Sequence, residues 1–156
     1  MQWLTSRILV LAWAVWLGGL LGIFLAVTTV FAVLDPDRTT AGMIGAAMFG
    51  RVERMILLIA AAAIISAIGM THVRRSTSRV ALLATLVLAA ALALAGTLLI
   101  TPRINALRQA NLTQTSDFKR LHGASMATYS TQVALLALAG LILPSALNPR
   151  TKDPAP

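Results

Sequence analysis

RMILLIAAAAIISAIGMTHVRRSTSRVALLATLVLAAALALAGTLLITPR, residues 54–103, decides the fold. Two uncharged runs, residues 55–71 and 80–102, flank a turn that carries three arginines and no acid. Each run supplies about 17–25 residues of helix, the length that crosses a ~30 Å hydrocarbon core, so the stretch reads as a transmembrane helical hairpin. Outward from it lie two more charge-free runs, residues 8–34 and 121–148. Apolar and polar residues do not alternate in any of the four, which excludes the period-2 pattern of a membrane β-barrel.

Composition agrees with this reading. The chain has 156 residues, of which 58% are hydrophobic and 12% charged, and its mean hydropathy is +0.81. A soluble domain carries roughly 45–50% apolar residues, so this is one integral membrane domain. The expected fold is all-α, an integral membrane four-helix bundle, with helices over about residues 8–34, 53–72, 79–102 and 121–143. Residues 144–156, rich in proline, read as a disordered tail. The first run is too long for the core of a signal peptide and more spans follow it, so it reads as a retained helix. The absence of cysteine removes disulfides, thiolate metal sites and thiol nucleophiles.

With the amino-terminal side named A and the opposite side B, six Lys/Arg fall on A and seven on B, a near balance for the positive-inside rule. The acid-free turn with Arg74, Arg75 and Arg79 favours side A, and with it both termini, as cytoplasmic. A multi-pass protein of a cell membrane is expected, a bacterial inner membrane above all. The net charge of +8 then serves lipid headgroups, and membrane lipids are the expected partners rather than nucleic acid.

Small residues mark expected helix contacts. Gly18, Gly19 and Gly22 beside Trp16, and the ridge Gly42, Ala46 and Gly50, allow backbones to approach closely. The same faces permit a homo-oligomer or a place in a larger membrane complex. Pro102 predicts a kink near the end of the third span, and Ser116 with Asp117 an N-cap and a first-turn acid for the fourth helix.

The fourth span opens with a polar stripe. At 100° per residue, His122, Ser125, Tyr129 and Gln132 share an arc of roughly 80° on one helix face. Such a face is costly against lipid and should turn into the bundle, toward Thr28, Thr29, Glu53, Thr97 and Thr101. It reads either as interhelical hydrogen-bond glue or as a ligand pocket rimmed by Arg103, Arg51 and Arg54 with Glu53. The ligand suited to that pocket is amphiphilic, with an anionic or polar head at side B, because arginine binds carboxylate or phosphate in a fork.

Taken in order, Trp16-Leu17-Gly18-Gly19, Ala41-Gly42 with Phe49, Pro102-Arg103, Phe118, Leu121-His122-Gly123 and Ser125 resemble the transmembrane protein 205-like domain family. That resemblance implies a four-helix membrane domain and no established reaction.

The function expected from these residues is a non-enzymatic binding, transport-associated or accessory role. No catalytic or metal-binding residues and no cofactor are assigned. The alternative is a redox protein holding haem, quinone or copper at His122. Paired-histidine haem is disfavoured, since His72 and His122 should lie at opposite membrane faces, about 30 Å apart. Copper would use His122 and Met126 with Met43, Met48 or Met55. Ion pumping is disfavoured because no Asp, Glu, Lys or Arg is read inside a span.

Overall fold

The structure, a computed structural model, describes residues 2–148. Four long helical rods run antiparallel in chain order: α1 (Gln2–Val33), α2 (Arg38–Val73), α3 (Thr77–Ala95) continued by a π-turn (Gly96–Ile100) and α4 (Thr101–Gln109), and α5 (Ser116–Leu147). All four are long and apolar enough to cross a membrane, and no strand occurs among the described residues. α1 packs mainly on α2 and α3 on α5, while α2–α3 and α1–α5 contacts close the ring.

Local chemistry sets the helix starts. Asp37 caps α2 by accepting from the Thr40 N–H at 3.0 Å, and bonding to Thr40 holds the Asp37 carboxyl below the usual carboxylate range. Ser76 caps α3 through the Arg79 N–H at 3.3 Å. For α5 the cap is Thr115, accepting from the Phe118 N–H, one residue before the expected Ser116; Asp117 does occupy the first turn.

Where a kink was expected near Pro102, the turn just before it widens to π geometry, and Pro102 lies in the first turn of α4. A proline has no N–H to donate and its ring crowds the carbonyl four residues back, so a wider turn relieves the conflict. Another proline overturns an expectation: α5 continues through Pro144 to Leu147, so residues 144–147 are helix rather than tail. Residues 149–156 lie outside the described residues.

The core is built from narrow side chains. Leu9, Trp16 and Leu20 of α1 meet Ala60, Ala63 and Ala67 of α2, Leu82, Leu86 and Ala89 of α3, and Leu136 and Ala139 of α5, all buried. Trp16 is fully buried. The outward faces stay apolar: Leu11, Leu25, Leu58, Ile65 and Leu141 are each at least 64% exposed, a surface suited to lipid rather than water.

The glycines pack differently from expectation. A Cβ placed on Gly18, Gly19, Gly22, Gly42 or Gly50 would meet nothing within 4 Å, so none of these five holds a close helix approach within the chain. The tight approach is at Gly140, where an added Cβ would lie 2.4 Å from the Trp13 ring. Trp13 lies across α5 there and donates from Nε1 to the Leu136 carbonyl at 2.8 Å. The rotation of α1 explains the difference, because Gly18 and Gly22 face outward while Trp13, Trp16 and Leu20 face the other helices.

At the side-A end, Arg79 is buried instead of standing as a loop charge. Its Nε donates to the Ala146 carbonyl at 3.0 Å and its guanidinium NH₂ to those of Met70 at 2.7 Å and Arg74 at 3.0 Å. One cation thus satisfies carbonyls at the C-terminal ends of both α2 and α5, where the helix dipoles favour positive charge.

Candidate functional site

A cavity of about 150 Å³ lies in the side-B half of the bundle, walled by α1, α2, the third rod and α5. From α5 its lining includes His122, Ser125, Tyr129 and Gln132, of which His122 is exposed, Ser125 and Tyr129 half-buried and Gln132 buried. Glu53 of α2 and Thr97 and Thr101 of the third rod join it, and α1 adds an apolar wall of Leu20, Ile23 and Val27.

The polar groups fall in layers along the bundle axis. At the outer end, the exposed His122 ring stacks on Phe118 with centroids 6.1 Å apart and planes 6° from parallel. Tyr129, one layer in, donates its hydroxyl proton to the Leu20 carbonyl and meets Phe49 edge-on at 5.8 Å. That bond ties α5 to α1 as glue would. Gln132 is deeper still and 6% exposed, and its amide oxygen has no hydrogen-bond partner among the described residues. The Trp16 indole N–H is likewise unpartnered, but Trp16 does not line the cavity.

The basic rim differs from the expected one. Arg51, Arg54 and Arg103 are exposed and none of them lines the cavity; Arg54 folds back on its own helix, donating from Nε to the Gly50 carbonyl at 3.0 Å. The cation that does line it is Arg108, whose guanidinium lies 5.9 Å over the Phe118 ring and donates to Asn105 Oδ1 at 3.3 Å. The signal for Arg108 was available in the sequence: it follows Thr101 by seven residues, two helical turns, and so shares its face. Thr28 and Thr29 stay out of the cavity and bond to carbonyls of their own helix.

Glu53 lies within the helix Arg38–Val73, at the start of the span expected over residues 53–72 and among the residues expected to face the bundle. Gly69 against Thr5 and Gly45 against Val27 fix the antiparallel register of α2 on α1. That register sets Glu53 level with residues 19–21, near the middle of α1. Its carboxylate accepts from the Thr101 hydroxyl at 2.8 Å, and Thr101 directly follows the π-turn.

As for metal or cofactor ligands, Met126 lines the cavity with His122, whereas Met43, Met48 and Met55 do not. His72 is exposed at the far end of α2.

Fold and site together define a multi-pass membrane protein, a four-helix bundle with a partly polar cavity in one half. Residues 11–113, about two thirds of the chain, match the model of a family described as Domain of unknown function (DUF4149), and the chain belongs to that family. The match carries that description and not the narrower transmembrane protein 205-like name, and it ends before α5, so it says nothing of the His122 stripe. No curated protein and no solved structure matches the chain.

Proposed function

We propose that this protein binds an amphiphilic molecule in the side-B cavity, as a binding, transport-associated or accessory component of a cell membrane, and that side A with both termini faces the cytoplasm. One observation carries it. Gln132 lines a cavity with apolar walls and holds a buried amide oxygen without a hydrogen-bond partner among the described residues. A buried acceptor left unmade costs roughly 1–3 kcal/mol, which a ligand donor recovers and which interhelical glue would not leave open.

The test sets stability against bound material. Gln132→Leu removes the unmet acceptor at similar volume, so it should leave the melting temperature unchanged or raise it, while the amount of co-purifying amphiphile seen by native mass spectrometry falls. Ala46→Phe fills the cavity from α2 and should have the same effect on bound material. A lower melting temperature for Gln132→Leu with an unchanged ligand profile in both variants would show that the stripe is glue.

A further inference from the structure

We infer that the head of the ligand is a cationic amine seated against the Glu53 carboxylate, an inference that rests on the cavity reading above. An arginine at the rim suggested an anionic head, but the inner half of the cavity carries the opposite chemistry. Glu53 lines it level with the middle of α1, and among the described residues its hydrogen-bond partner is the neutral Thr101 hydroxyl. Neighbouring arginines on the same helix do not neutralise it: Arg51 and Arg54 are exposed, and Arg54 is engaged with Gly50. A carboxylate among apolar helices is stable when a cation or several donors meet it, and a single hydroxyl supplies one donor.

The second observation is independent of Glu53. Deeper along the same lining, Gln132 holds a buried amide oxygen without a partner among the described residues, an acceptor that a small turn of the side chain brings to the cavity. The Tyr129 and Thr101 hydroxyl protons are already given to Leu20 and Glu53. Arg108 stands two turns beyond Thr101 along α4, about 10 Å by helical rise, and is engaged with Asn105 and Phe118. A group entering the inner half therefore meets a carboxylate with one neutral donor, and an ammonium with three N–H donors answers it and leaves a donor free for the Gln132 amide oxygen. The walls formed by Leu20, Ile23 and Ile56 take the apolar part. A volume of about 150 Å³ admits a body near the size of benzene. The ligand class is a compact lipophilic amine.

Hexylamine, hexanol and hexanoate share one apolar body and differ in head charge at pH 7. Their dissociation constants are measured by ligand-observed NMR on the protein in nanodiscs of a zwitterionic phospholipid, with empty discs as blank. Hexylamine should bind about tenfold or more tightly than hexanol, with hexanoate weakest. Glu53→Gln should bring the amine-to-alcohol ratio close to one, and Glu53→Asp, which keeps the charge, should restore most of it. Melting curves on the same samples separate loss of fold from loss of charge, and Ala46→Phe should abolish binding of all three. If hexanol or hexanoate binds as tightly as the amine, or Glu53→Gln leaves the preference intact, while Ala46→Phe still blocks binding, the amine assignment falls and the cavity reading stands. Binding of all three that ignores Ala46→Phe overturns both.

Discussion

Arg79 and Gly140 are the two residues whose environments most sharply separate composition from structure. Removing the Arg79 side chain leaves the Met70, Arg74 and Ala146 carbonyls without their shared donor. Arg79→Ala should therefore destabilise the bundle by roughly 1–3 kcal/mol or more, read as a lower melting temperature in detergent. Arg79→Lys should recover part of the loss, because an ammonium lacks the planar fork that reaches both helix ends. At Gly140 a single methyl meets the Trp13 ring, and overpacking of this kind costs roughly 1–3 kcal/mol, so Gly140→Ala should lower stability. Gly18→Ala, with open space at its Cβ, should be nearly silent or slightly stabilising, since alanine is the better helix former. Equal losses at both glycines would mean that Gly18 is covered by a partner outside the chain.

At the scale of elements, the π-turn is the feature with mechanical consequences. It holds an extra residue within the third rod, so the helix after it meets α2 and α5 at a different rotation from a continuous α-helix. Deleting Leu99, exposed within the π-turn, should convert that turn to α-helix and leave α4 in phase, with a moderate fall in melting temperature because the Pro102 ring again crowds the carbonyl before it. Deleting Leu94, exposed in the regular part of α3, should rotate Ile104 and Arg108 by about 100° off their face and sharply reduce both yield and melting temperature. If the Leu99 deletion also ends binding of hexylamine, the π-turn sets the Glu53–Thr101 geometry as well as relieving Pro102.

The whole molecule presents an apolar exterior, a small-residue core and two unlike ends: a guanidinium clamp at side A and a cavity with a carboxylate inside at side B. The proposed orientation rests on the side-A turn, where Arg74 and Arg75 are the exposed cations once Arg79 is buried. A reporter that is active outside the cytoplasm alone, fused after Lys152, should be silent. Strong activity there would invert the assignment.

The number of spans, their order and the membrane class were legible in the sequence because they depend on length, apolarity and the spacing of charges, each a local and additive property. That Ser125, Tyr129 and Gln132 share one face of α5 was legible for a similar reason: one helix has one period. Tertiary structure decided what lies opposite. Gly140 rather than Gly18 meets a ring, Arg108 rather than Arg103 lines the cavity, and Glu53 stands level with mid-α1 although its own apolar run begins after it. Each of these depends on the rotation and axial offset of one helix against another, which many side-chain contacts and the turn at residues 96–100 fix jointly. Periodicity along a single helix carries no record of that offset.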